Sequence, residues 1–134
     1  MTVNLAEVWL RHARDDLQSA EVLLAAKIYG MVCFHAQQAV EKGLKALLAA
    51  AAYPIPRIHN LIRLRRIVED SLGPLEIDEE ALMFLNDIYL DSRYPTDLRV
   101  LPGGMPDAVD AQRAYGDALR IFEVLSSSVR MLIK

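Results

Sequence analysis

The stretch HAQQAVEKGLKALLA, residues 35–49, places polar side chains at regular intervals in a run rich in alanine and leucine. Four of these polar residues are Gln38, Glu41, Lys42 and Lys45. Because successive helical residues point about 100° apart, their side chains fall within about 100° of one another, opposite the apolar side of the helix. Periodicity alone leaves two interpretations open, an ordinary solvated helix face or a polar site.

A cation and a phenol lie side by side in DSRYPTD, residues 91–97. Pro95 disfavours helical geometry at Tyr94, so Arg93 and Tyr94 are predicted to lie where a helix ends. An arginine near a helix C-terminus also suits the helix dipole, so capping and a functional role both remain open. Arg93 and Tyr94 are therefore candidate catalytic or binding residues.

Charge is unevenly distributed along the chain. Residues 54–68 contain no acidic residue, and residues 70–91 contain no lysine or arginine. The basic side chains of the first segment are Arg57, His59, Arg63, Arg65 and Arg66. Adjacent segments of opposite charge suit self-association or a polyanion site, and they are also typical of solvated helix faces.

Other reactive residue types do not combine into a known site. Cys33 and His35 would diverge by about 200° on a helix, so they cannot form a local nucleophilic pair. The three histidines show no zinc-binding spacing, and the adjacent Asp15 and Asp16 are interpreted as surface charge. We expect no metal and no cofactor.

The totals indicate one globular domain over residues 1–134. Hydrophobic residues make up 53% and charged residues 25% of the sequence, and the formal net charge is -3. No apolar run approaches the roughly 18 residues that a membrane helix needs, and no secretory signal is recognised. The protein is expected in the cytoplasm, away from the membrane.

Helical periodicity dominates the chain, and no segment alternates with period two. Asn4 is predicted to cap the first helix, with Glu7 completing a capping box, and Asp78 to cap the fourth. Pro54 and Pro56 should end the second helix, and Pro106 is predicted in the first turn of the last. A third, shorter helix is predicted over residues 60–71. The predicted fold is all-α, an antiparallel up-and-down bundle of about five helices.

Four stretches together resemble the HEPN (higher eukaryotes and prokaryotes nucleotide-binding) domain family. They are WLRHARDDLQSAEVLL at 9–24, CFHAQQAVEKGLKALL at 33–48, HNLIRL at 59–64 and SRYP at 92–95. The resemblance implies a helical bundle that forms a homodimer. It also implies a bacterial or archaeal toxin–antitoxin setting, with a minimal nucleotidyltransferase as partner.

Active members of this family are metal-independent ribonucleases whose signature is an arginine, four to six residues and then a histidine. That motif is missing here, since the positions at this spacing from Arg93 are Leu98, Arg99 and Val100. The favoured function is a non-catalytic module that binds a nucleotide, RNA or a partner. The alternative is a divergent ribonuclease that uses Arg93 with Tyr94 or with His59.

The resemblance also favours a polar site over a solvated face for the stripe on the second helix. It implies that Glu41 faces inward and pairs with Arg93, and that Gln38 supplies neutral hydrogen bonds. Lys42 and Lys45 are expected to point toward solvent or phosphate.

Overall fold

A computed structural model describes residues 4–93 and 105–134, with only the backbone described for residues 89–93. The described residues form helices without any strand: α1 (Leu5–Ala25), α2 (Tyr29–Ala50), α3 (Leu61–Leu72), α4 (Glu79–Arg93) and α5 (Ala108–Leu132). The predicted all-α bundle is confirmed.

Polar side chains cap the starts of several of these helices, because the first backbone N–H groups of a helix have no partner within it. The Asn4 side chain accepts from the N–H groups of Ala6 at 3.0 Å and Glu7 at 3.4 Å, so Asn4 caps α1 as predicted. The reciprocal bond from the Glu7 side chain that would complete the predicted capping box is not found in the described residues. Asn60 accepts from the N–H of Arg63 at 3.0 Å. These bonds define where α1 and α3 begin.

The predicted start of α5 was wrong. Pro106 lies before the helix, and Asp107 is the N-cap. The Asp107 side chain accepts from the N–H of Asp110 at 2.9 Å, and the Asp110 side chain accepts from the N–H of Asp107 at 3.0 Å. This reciprocal capping box satisfies two free N–H groups, which proline in the first turn would not do.

Helix α2 is the centre of the bundle and packs against all four other helices. It contacts α5 closely at Gly43, where an added Cβ would lie 2.8 Å from Cδ1 of Leu125. In the described part of the chain, α3 packs only against α2 and α4. The outer sides of α3 and α4 therefore border solvent.

Each of the first two helices is followed by a residue with left-handed backbone conformation. Lys27 follows α1 with a φ of 63°, and Ala52 follows α2 with a φ of 60°. The short connection after α1 turns the chain back so that α2 runs along α1. Of the helices in residues 4–93 and 105–134, none is both long enough and apolar enough to span a membrane.

Candidate functional site

A buried carboxylate on α2 organises the polar stripe. Glu41 is 4% exposed, and its Oε2 accepts from Nζ of Lys45 at 3.0 Å. Nδ1 of His59 lies 3.1 Å from the same oxygen, and Nε2 of Gln37 donates to Oε1 at 3.3 Å. Glu41 thus faces inward as expected, and it joins α2 to the segment before α3.

Lys45 is buried as well, so its expected solvent-facing position was wrong. It is 5% exposed, because neighbouring helices enclose α2 on more sides than the amphipathic pattern indicates. Nζ of Lys45 lies 5.8 Å from the centre of the Trp9 ring of α1, within range of a cation–π interaction. An ion pair enclosed in this way fixes geometry more than it stabilises the fold.

His59 carries the polar network to the surface. Its side chain is 67% exposed while its Nδ1 is held by Glu41. The His59 carbonyl accepts from Nε2 of Gln37 at 3.1 Å, and Oε1 of Gln37 accepts from Nε2 of Gln38 at 2.8 Å. Because a carboxylate accepts hydrogen bonds, Nδ1 is the donor to Glu41, and Nε2 is the ring nitrogen that a ligand can contact.

The basic segment around His59 divides into paired and unpaired side chains. Arg65 is half-buried; its Nε lies 3.4 Å from Oε1 of Glu69, and it also donates to the Leu75 carbonyl at 3.2 Å. Arg57, Arg63 and Arg66 are exposed and have no ion-pair partner among the residues that the structure describes. These three guanidinium groups remain available to anions.

A second buried carboxylate, Asp16 of α1, was missed by the sequence analysis. Its Oδ2 accepts from Nζ of Lys42 at 2.6 Å, and its Oδ1 lies 2.8 Å from Nδ1 of His35. Its side chain is 9% exposed, so its interpretation as surface charge was wrong. The signal for its burial is the helical spacing of α1, since Asp16 lies three residues after the buried Ala13 and four before the buried Ala20. Its two partners on α2, His35 and Lys42, lie seven residues apart, or two helical turns.

Two of the candidate residues fall where contacts are not described. Arg93 is the last residue of α4, and its side chain lies outside the described residues, as does the whole of Tyr94. The expected pairing of Glu41 with Arg93 therefore remains a prediction. Within the described residues, both oxygens of Glu41 already accept hydrogen bonds from α2 or His59.

Cys33 lies in the core rather than at this site. Burial raises the pKa of its thiol to about 12, with a smaller contribution from the negative charge of Asp110. Among residues 4–93 and 105–134, no group of three or more histidine, cysteine and acidic residues could hold a metal ion.

The site as a whole combines an oriented imidazole with exposed, unpaired guanidinium groups within one short stretch of the chain. Arg57 and His59 lie two residues apart in the segment before α3, and Arg63 lies in the first turn of α3. Guanidinium groups bind phosphate oxygens through paired N–H donors, and an imidazole held through one ring nitrogen can hydrogen-bond to a ligand through the other. The arrangement suits a phosphate-rich ligand.

Comparison with known proteins identifies the family. The solved structure of TT1696 from Thermus thermophilus is 28% identical and matches with a TM-score of 0.78, over 94% of this chain and 99% of that one. The archaeal HEPN homologue ST0689 is 27% identical with a TM-score of 0.72, over 92% of this chain and 97% of its own. No curated protein matches. The family model described as HEPN domain matches residues 6–128, and the chain belongs to the HEPN family.

Proposed function

We propose that this HEPN domain is a non-catalytic module that binds RNA or nucleotide phosphates. One observation carries the proposal: Arg57 and Arg63 are exposed without an ion-pair partner in the described residues, on either side of His59. The net charge of -3 does not favour RNA binding by the protein as a whole. Binding would therefore depend on the local positive charge of the unpaired arginines.

The fixed orientation of the His59 ring favours binding of a specific ligand over non-specific electrostatic attraction of anions. Glu41 holds Nδ1, Gln37 holds the carbonyl, and the imidazole stays exposed. An imidazole held in one orientation loses little conformational entropy when a ligand binds, so its contribution to affinity is preserved. We therefore assign His59 a binding role beside the two arginines.

The test is binding of a fluorescently labelled single-stranded RNA, followed by anisotropy over a series of salt concentrations. Arg57→Ala and Arg63→Ala should each weaken RNA binding. Each should also make the negative slope of the logarithm of the binding constant against the logarithm of the salt concentration shallower by about 0.7, as expected for one lost phosphate contact on a single strand. Arg11→Ala, an exposed arginine on α1 without an ion pair in the described residues, is the control. Unchanged binding in both test variants would reject the proposal.

A second function is favoured by the same imidazole. A carboxylate on Nδ1 with an exposed ring is the arrangement in which histidine serves as a general acid or base, as a metal-independent ribonuclease requires. Cleavage of cellular RNA in the presence of EDTA, abolished by His59→Ala or Arg93→Ala, would establish this divergent ribonuclease in place of the binding module. Intact RNA with wild-type protein favours the binding module.

We further propose that the protein acts as a homodimer in the cytoplasm beside a minimal nucleotidyltransferase, in a toxin–antitoxin-like module. Family membership supports this setting. Co-expression with a nucleotidyltransferase encoded by a neighbouring gene, followed by co-purification and mass measurement, tests it. Separate elution of the two proteins would contradict the pairing.

A further inference from the structure

Helix α1 borders a groove whose polar and apolar side chains lie toward opposite ends. Asp15, Ser19 and Val22 follow one another at steps of four and three residues, so they share one side of α1. The groove has a volume of about 490 Å³, and α2 contributes one residue to its wall. The described residues that line it are Asp15, Gln18, Ser19, Val22, Leu23 and His35.

His35 is the residue of this wall whose orientation is fixed by buried groups. Its Nδ1 lies 2.8 Å from Oδ1 of Asp16, whose side chain is 9% exposed, and Oδ2 of Asp16 accepts from Nζ of Lys42 at 2.6 Å. The His35 side chain is 22% exposed, and Nε2 is the ring nitrogen that a ligand can contact. Because the ring is held before any ligand arrives, binding costs little conformational entropy on this side of the groove.

The other polar groups of the groove have free hydrogen-bonding capacity. The side chains of Asp15, Gln18 and Ser19 form no hydrogen bond or ion pair with another residue that the structure describes. All three carry oxygen acceptors, and they lie within about one turn of α1. Of the described residues that line the groove, Asp15 is the only carboxylate, and none is a lysine or an arginine. The groove therefore attracts a cation and repels a phosphate.

Apolar surface continues the groove toward the turn that follows α1. Val22 is 62% exposed, and Leu23 beside it is half-buried. From Asp15 to Val22 the helix rises by about 10 Å, which leaves room for an extended arginine side chain with its methylene groups over Val22 and its guanidinium at Asp15. A planar guanidinium carries five N–H donors and can satisfy several oxygen acceptors at once, whereas a lysine ammonium binds as a point charge. The set of acceptors thus fits arginine better than lysine.

We propose that this groove binds an arginine side chain of a partner protein. The Asp15 carboxylate accepts two N–H groups of the guanidinium, Gln18 and Ser19 accept from the others, and the His35 ring flanks them. A volume of about 490 Å³ leaves space beside the arginine for neighbouring residues of the same peptide. The groove shares no residue with the proposed RNA surface, so the two proposals stand or fall independently.

Titration with a capped peptide of one arginine between glycines, followed by nuclear magnetic resonance, tests the proposal. Saturable chemical-shift changes are expected at the Gln18 side-chain amide, at the backbone of Ser19 and Val22, and at the ring nitrogens of His35. The matched peptide with citrulline in place of arginine has nearly the same shape without the charge. It should bind about tenfold more weakly, because the charge-assisted hydrogen bonds to the carboxylate are lost.

Asp15→Asn removes the carboxylate at an exposed position and should weaken binding of the arginine peptide about tenfold. Glu123→Gln of α5, also exposed, removes the same charge from a residue that does not line the groove, and it should bind like the wild type. Far-UV circular dichroism verifies that both variants are folded. Equal binding of the citrulline peptide, undiminished binding by Asp15→Asn, or shift changes centred on other residues would overturn the inference. Saturable shifts of the groove residues with inorganic phosphate alone would also overturn it, because they would identify an anion site.

Discussion

At the scale of single residues, the site depends on a lysine and a glutamate that water hardly reaches. Lys45 and Glu41 are 5% and 4% exposed and lie one helical turn apart. Removing one member of such a pair leaves the other charge buried without its partner, which costs far more than losing an ion pair at the surface.

Glu41→Gln and Lys45→Met should each lower the free energy of unfolding by about 3 to 5 kcal/mol, and the double variant should lose much less than the sum. Urea denaturation measures all three. Glu21→Gln, which weakens an exposed hydrogen bond from the Tyr115 hydroxyl at 2.9 Å, is the control and should lose under about 1 kcal/mol. Strictly additive losses would show that the two buried charges are independent.

The single cysteine offers a second test at this scale. Burial raises the pKa of Cys33 from 9.0 to about 12, so the reactive thiolate is scarce in the folded protein at pH 8. Ellman's reagent should therefore react only as fast as the protein unfolds. The pKa of the Cys33 thiol is higher in the folded protein than in the unfolded one. Its contribution to the free energy of unfolding is therefore complete below pH 9.0 and is lost as the pH rises toward about 12. Rapid labelling without denaturant would contradict this.

At the scale of helices, the contact between α2 and α5 depends on the missing side chain of Gly43. Its Cβ would meet Cδ1 of Leu125 at 2.8 Å, closer than two carbon atoms can lie without displacement. The other helical glycines, Gly30 and Gly116, have open space or only the flexible Arg120 side chain beside them. A close approach of two helices thus constrains one glycine of the three.

Gly43→Ala should lower the free energy of unfolding by about 1 to 3 kcal/mol through overpacking, despite the better helix propensity of alanine. Gly30→Ala is the matched control and should raise it by up to about 1 kcal/mol. Thermal melting of both variants measures the difference. Equal stabilisation by both substitutions would show that α5 moves aside at no cost.

The helices themselves could be predicted from the sequence, because apolar spacing and capping residues are local signals. The predicted caps Asn4 and Asp78 illustrate this success, since each side chain accepts from a backbone N–H of the helix that follows it. The start of α5 was misplaced because proline and aspartate both suit a helix start, and only the Asp107–Asp110 bonds decide between them. Burial of Asp16 was indicated by its place between the buried Ala13 and Ala20 of α1, but the residues that partner it on α2 were not. Burial of Lys45 depends on which helices surround α2, and spacing within one helix does not encode that arrangement.

At the scale of the whole molecule, the central position of α2 should make unfolding cooperative. Every other helix packs against α2, so its loss exposes the core shared by all of them. Trp9, the single tryptophan, packs against this core from α1. Urea transitions followed by its fluorescence and by circular dichroism at 222 nm should coincide. Separate midpoints would mean that α1 unfolds independently.

The residues that follow α1 and α2 are positions at which a substitution can increase the stability of the protein. Lys27 and Ala52 adopt positive φ values that cost a side-chain-bearing residue about 1 kcal/mol relative to glycine. Glycine at either position would recover that energy without altering His59 or the arginines. Evolution or protein design can thus raise the free energy of unfolding by substituting glycine at these two turns. Destabilising mutations at Arg57, His59 or Arg63 can then be tolerated without loss of the fold.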